Sequence, residues 1–160
     1  NLEVTSRGQA HHILQMLQDY ERHMNVVNEE VSVPKARTPE VKYAIGMIMK
    51  HRTYEYSCVI TGWDTKCEAS PDWMDEMGIN ELQNGANQPF YYLFVDDGSS
   101  RYAAQENLII APAPKWVNHD EVGRYFYRFC GSYYLPNVEK EREYPDDARV
   151  RNQLLAVGDS

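Results

Sequence analysis

Between residues 41 and 110 the chain alternates short β-branched and aromatic runs with turn-forming clusters, and no run there is long enough to be more than a short strand. Five strands are predicted, over residues 43–51, 57–64, 90–95, 100–104 and 108–111. The pair Asp97-Gly98 between the third and fourth is the strongest short-range hairpin signal in the chain. In the first strand neither alternating face is purely polar, as expected when both sides are partly covered, and Gly46 marks a bend or a close backbone approach. In the second, Cys58, Ile60 and Gly62 alternate with Val59, Thr61 and Trp63. Short strands joined by turns are how so small a chain closes a barrel, so the expectation is a mainly β fold, a small barrel of about five strands with helices flanking it at both ends.

The flanks differ in composition from this block. Residues 9–24 place Ile13, Leu14, Met16, Leu17, Tyr20 and Met24 near helical spacing, with Gln15, Gln18, Asp19 and Arg22 opposite. Pro34 and Pro39 break any helix in the connector that follows. Three parts result: an N-terminal helix and connector over 1–40, the barrel over 41–111, and a helical extension over 112–160. Asn118 to Glu121 resembles a capping box and predicts a helix over 120–129 that ends at Gly131. Pro145 to Asp147 opens a last helix that reaches Leu154 and Leu155. The long insertion 65–88 has one helix start, with Ser70 as N-cap and Pro71 at the first helical position. Loops of this length often carry function.

Charge narrows the function classes. The formal net charge is −8, and from 41 to 110 ten acids face five bases. Nucleic-acid binders usually carry the opposite sign, because phosphate neutralisation supplies much of their affinity. No apolar run reaches the roughly 20 residues that span a bilayer, and the first residues lack a secretory pattern and read as an internal start. Three cysteines, Cys58, Cys67 and Cys130, lie outside any Cys-x-x-Cys spacing, which favours a reducing compartment over disulfides or zinc. His11-His12 do not share a helical face. Asp96-Asp97 with Asp64 and Glu106 read as turn acids rather than a calcium set. Cys58 shares a face with Ile60 and reads as an inert core thiol despite the nearby His51. No catalytic residue, metal ligand or cofactor is expected.

The aromatic residues are the functional candidates. Tyr54, Tyr56, Trp63, Trp73, Phe90, Tyr91 and Tyr92 are many for a small barrel, and those left outside would be rigid anchors of the kind enriched at interface hot spots. Trp73, beside Met74 and Met77 in the acidic loop, suits a protein partner with basic character. The expected partner-binding set is therefore Tyr54, Tyr56, Trp63, Trp73, Met74, Met77 and Tyr91. The alternative is DNA binding through Lys50, His51, Arg52 and Arg101.

The order of Gly46, Ile48, Lys50-His51-Arg52, Tyr54 to Tyr56, Val59-Ile60, Trp63-Asp64, Gln88 to Tyr92, Tyr102 and Gln105 to Leu108 resembles the hemimethylated-DNA-binding-protein family, the YccV/HspQ-like domain. The resemblance covers about 41–111 and implies an SH3-like barrel. It also implies an adaptor role, since bacterial and plastid members are linked to substrate delivery to ATP-dependent proteases, while the family name came from DNA binding. A wider set, Gly46 to His51, Val59 to Asp64, Val95 to Gly98, Arg101 to Leu108 and Asp120 to Phe126, resembles the C-terminal part of F-box substrate receptors of Skp1–cullin–F-box ubiquitin ligases. This implies a non-catalytic recognition module, without cofactor, that binds the ligase's protein substrates in the cytoplasm or nucleus. Skp1 and cullin would be reached only through an F-box region outside these 160 residues.

Overall fold

The computed structural model describes residues 33–156; the predicted helix over 9–24 and the His11-His12 pair lie outside them. The strands are β1 (Ile48–His51), β2 (Ser57–Asp64), β3 (Phe90–Val95), β4 (Ser100–Ala104), β5 (Leu108–Ile110), β6 (Phe126–Phe129) and β7 (Tyr134–Pro136). The helices are α1 (Pro71–Glu76), α2 (Val122–Tyr125), α3 (Val138–Glu143) and α4 (Asp147–Leu155), with single 3-10 turns at Ile79–Glu81 and Gln105–Asn107. The fold is mainly β. Five antiparallel strands form one sheet in the order β4-β3-β2-β1-β5, and β6 and β7 form a separate two-stranded ribbon. No pairing of β4 with β5 closes the sheet into a barrel among the described residues.

Alternation along the strands buries both faces of the sheet. On one face Met49, Cys58, Ile60, Leu93, Val95 and Leu108 meet Ile45, Met47 and Tyr144. On the other, Ile48, Val59 and Phe94 meet Val117, Phe126 and Tyr134, while Phe90 and Ala104 meet Cys67 and Ile79 of the long loop. Asp97-Gly98 makes the expected turn, with Gly98 at φ +87°. Val95 both accepts from the Gly98 N–H and donates to the Ser99 carbonyl across it.

Three sequence expectations are corrected. The first strand begins at Ile48 rather than at residue 43. Gly46 sits at φ +86°, and a Cβ there would overlap the Tyr134 carbonyl oxygen, so the regular strand is broken at this point, although the Gly46 N–H still donates to the Ile60 carbonyl and its own carbonyl accepts from the Tyr134 N–H, both at 2.8 Å. In β2 the register to β3 slips between Ile60 and Gly62. This bulge carries Trp63 into the same core as Cys58 and Ile60, not onto the face of Val59. The helix expected over 120–129 stops at Tyr125, and Phe126 onward is β6. There Phe126 packs inward while Tyr127 and Arg128 face water, and the register to β7 slips between Phe126 and Arg128. Asn118 does not cap that helix; its N–H donates to Asp96 at 2.9 Å.

One buried carboxylate ties the ends of this unit to its sheet. Asp147, at the start of α4, accepts from the Ile45 N–H (2.9 Å), Trp63 Nε1 (2.9 Å) and Arg37 Nη1 (2.8 Å). The second guanidinium nitrogen of Arg37 donates to the Val41 and Tyr43 carbonyls at 2.8 Å each. Removing one partner of such a set leaves the others buried and unsatisfied. Asp147→Ala is expected to lower stability by about 3–5 kcal/mol, read as the shift in the urea unfolding midpoint. Asp147→Asn, which keeps an acceptor but loses the charge, should fall between that variant and the parent.

Candidate functional site

The β1–β2 connection is a tight turn organised by His51. Its carbonyl accepts from Glu55 N–H at 2.9 Å and its N–H donates to the Tyr56 carbonyl at 3.1 Å. Its Nδ1 accepts from the Thr53 and Tyr54 N–H groups, both at 3.1 Å. Glu55 is held at φ +59°, in the left-handed region that side chains rarely adopt. The imidazole centroid lies 4.9 Å from the Tyr54 ring and 4.9 Å from the Tyr56 ring. The Arg101 guanidinium sits 5.0 Å from the Tyr56 centroid. Burial, and then the Arg101 charge, lower the His51 pKa. A neutral ring with its proton on Nε2 is the form that accepts both amides. Tyr54 itself is 72% exposed.

The two residue sets that the sequence offered as alternatives thus meet at one turn: Tyr54 and Tyr56 with Lys50, His51, Arg52 and Arg101. The geometry changes what the second set can do. His51 is buried and acts as an acceptor, not a cation. Lys50 Nζ lies 4.0 Å from Glu55, and Arg101 lies 3.6 Å from Asp97. Arg52 is exposed.

The loop residues lie elsewhere. The Tyr54 turn precedes β2 and the 65–88 loop follows it, and eight extended residues separate them by about 25 Å. Ser70 caps α1 as expected, accepting from the Trp73 N–H at 3.1 Å. The Trp73 ring packs edge-on against Tyr102 at 5.7 Å, and Trp73 and Met74 cover Cys67, Ile79, Phe90 and Ala104. Met77 alone of this group is strongly exposed, at 58%. Trp63 and Tyr91, expected at the surface, are interior residues. Trp63 is drawn in by the bulge and by its bond to Asp147. Tyr91 is held by Gln105, whose Oε1 accepts its hydroxyl proton at 2.5 Å, and by Tyr43, whose N–H donates to it at 3.1 Å. Aromatic identity by itself does not distinguish a core ring from an anchor.

Other groupings were not visible in the sequence. Asp64 accepts from Lys35 Nζ (2.7 Å), the Tyr92 hydroxyl (2.9 Å) and the Tyr102 hydroxyl (2.7 Å). Glu106 accepts from the Gln83 N–H (3.2 Å), the Asn84 N–H (2.9 Å) and Gln88 Nε2 (2.6 Å), pinning the loop. Asp97 is engaged by Ser99 and Arg101. The four acids of the supposed calcium set therefore serve separate hydrogen-bond groups. Ser100 Oγ and His119 Nε2 stand 3.3 Å apart, which resembles a nucleophile and its base. However, His119 Nδ1 accepts from the Glu121 N–H at 3.0 Å, so the ring proton is on Nε2 and points at the hydroxyl. That tautomer cannot withdraw the serine proton. Burial pushes the Cys58 thiol up to about 12, and its Sγ donates to the Met49 carbonyl at 3.6 Å. No helix among the described residues is long and apolar enough to cross a membrane.

Comparison with known proteins places this geometry in context. Residues 41–133 match the family model described as hemimethylated DNA-binding protein YccV like. The match passes the expected end of the β block and takes in β6. F-box only protein 21 of Homo sapiens and of Pongo abelii are each 43% identical over 152 residues, and that of Mus musculus 42%. The alignments cover 92% of this chain and 24% of each relative, so the chain spans about a quarter of their length. No solved structure matches.

The Glu106 anchor gives a pH prediction. Burial raises its pKa, but the bonds from Asn84, Gln88 and Gln83 outweigh this, and the carboxyl titrates below its ordinary 4.5. Its contribution is complete above that value and is lost as pH falls through the lowered one. Glu106→Gln should expose the Gln83 and Asn84 amides to exchange about tenfold faster at neutral pH. The parent should show the same loosening only below pH 4.5, read by hydrogen exchange.

Proposed function

We propose, because the chain belongs to the YccV-like hemimethylated DNA-binding protein family, that it is the partner-recognition module of a longer F-box-type substrate receptor and grips polypeptides through the Tyr54 turn. The single observation that carries the reading is Tyr54: a large ring 72% exposed on a turn held by four hydrogen bonds to His51. A preorganised aromatic side chain loses little freedom on binding, which is the property of an interface anchor. Tyr56 with Arg101 extends the surface, and exposed Met77 offers a softer contact at the far end of β2. The SH3-like barrel belongs to the same reading, with the five-stranded sheet as its body. Protein substrates of a ubiquitin ligase are the partners, in the cytoplasm or nucleus, and the module transforms nothing itself.

DNA binding is the second reading, favoured by the family's name and by Lys50, Arg52 and Arg101 at the same turn. Against it stand the acid partners of Lys50 and Arg101 and the net charge of −8.

Two measurements divide the readings. In quantitative capture from cell extract, Tyr54→Ala should lose about tenfold or more of the specifically bound protein. Tyr127→Ala, equally exposed but on β6, should lose none. In fluorescence anisotropy with a hemimethylated duplex, only weak binding is expected. Tight binding that falls steeply with added salt would replace the first reading with the second.

A further inference from the structure

The motif Lys50-His51-Arg52 looks like a basic cluster, yet its middle residue spends its lone pair inward. Three successive amides converge on His51: Thr53 and Tyr54 on Nδ1 at 3.1 Å each, and Glu55 on the carbonyl at 2.9 Å. The backbone bonds at Glu55 and Tyr56 close the turn. The Nδ1 bonds fix its tip, where Tyr54 projects. The tip contains the strained Glu55 at φ +59°, a conformation that persists only when its surroundings impose it.

We propose that His51 is a positioning residue that holds Tyr54 in its outward pose, and that uptake of a second proton by this imidazole releases the recognition turn. This inference rests on the Tyr54 turn being the binding surface. The chemistry is direct. A proton on Nδ1 converts the acceptor of two N–H groups into a third donor facing them, and both bonds are lost. The new charge lies beside the Arg101 guanidinium of β4, the residue whose charge already disfavours it. Other groups facing the ring do not offset this. Tyr54 and Tyr56 are neutral phenols of the turn, and Glu55 reaches toward Lys50 at 4.0 Å. Asp97 is engaged by Arg101 and Ser99. On β5 the residue opposite His51 is apolar Leu108, and the neighbouring Asn107 carbonyl is taken by the Arg52 N–H. Burial and Arg101 place the transition below the imidazole's ordinary 6.5. The turn is therefore fixed at neutral pH and loosens as pH falls through the lowered value.

The test uses the full chain, labelled with 15N, without any partner. At pH 7.5 the His51 ring shifts should report the proton on Nε2. The Thr53 and Tyr54 amides should be protected from exchange, and that protection, corrected for intrinsic rates, should fall about tenfold for each pH unit below the His51 transition. Core amides of Val59 and Leu93 monitor global unfolding and should not change over the same range. His51→Asn places a non-titrating oxygen where Nδ1 stands, and should keep both amides protected from pH 7.5 to 5. His51→Gln, with its acceptor one bond too far out, should lose protection at every pH. A ring proton found on Nδ1, protection in the parent that persists unchanged through the His51 titration, or a His51→Asn chain that still loosens with acid would each overturn the proposal. The parent titration and His51→Asn decide the matter even if His51→Gln does not fold. Because these readings are taken without a partner, their failure is distinct from an unchanged capture by Tyr54→Ala, which would remove the binding role and leave the turn's chemistry standing.

Discussion

The Asp147 carboxylate is the interaction on which the rest of the unit depends. It gathers donors from three places far apart in sequence: Arg37 in the leading segment, Ile45 before β1 and the Trp63 indole in β2. Taking a carboxylate out of water is costly, and the cost is offset only where its oxygens are satisfied by well-placed donors, one of them charged. Each donor brings a constraint. Arg37 also clasps the Val41 and Tyr43 carbonyls, so the segment before β1 is fixed as part of the core. Trp63 requires the bulge in β2 to reach the carboxylate. The bulge brings Gly62 against the Tyr144 ring, whose hydroxyl would lie 2.6 Å from a Cβ there. A second carboxylate, Asp64, repeats the arrangement at the end of β2 with Lys35, Tyr92 and Tyr102. The frame is thus locked at the β2 end that leads into the loop, while at the other end four hydrogen bonds to His51 shape the Tyr54 turn.

This division explains what the sequence could and could not tell. β3, β4, α1 and α4 are legible because their signals are local: an aromatic and aliphatic run bounded by the Asp97-Gly98 turn, the Ser70-Pro71 cap and the proline before Asp147. β1 was drawn too long because the cause of the turn at Gly46 is a carbonyl 88 residues on, that of Tyr134. The bulge was invisible for the same reason, since the indole partner that rewards it lies 84 residues away. In 120–129 a plausible cap competed with a run of aromatics, and pairing with β7 decided for strand. Gly131, at φ +92°, serves a hairpin as well as a helix stop, so it does not distinguish the two.

For the site, exposure was the missing variable. Trp63, Trp73, Tyr54 and Tyr91 are equivalent as sequence letters, yet of these four only Tyr54 is strongly exposed. Trp63 and Tyr91 have polar atoms that find buried partners, which lets large amphipathic rings go fully inside. Trp73 lies on Tyr102 because its loop is pinned by Glu106. His51 was misjudged by residue type: beside Lys50 and Arg52 it suggests a cation, whereas two backbone amides select its neutral form.

That selection also bears on which partner the turn suits. Exposed ion pairs such as Lys50–Glu55 and Arg101–Asp97 are worth about 0–1 kcal/mol each, so a phosphate could displace either acid at little local cost. The obstacle is longer in range. At physiological salt the Debye length is about 8 Å; Asp97 lies 3.6 Å from Arg101, Asp96 precedes it on the same hairpin, and Glu55 stands on the Tyr54 turn. A polyanion would approach against this field as well as the net −8 of the chain, and would gain few released counterions in return. A polypeptide meets no such barrier. It can present a basic or neutral segment to the acids while an apolar side chain covers the Tyr54 ring, and the affinity then rests on desolvating one rigid aromatic surface rather than on neutralising charge.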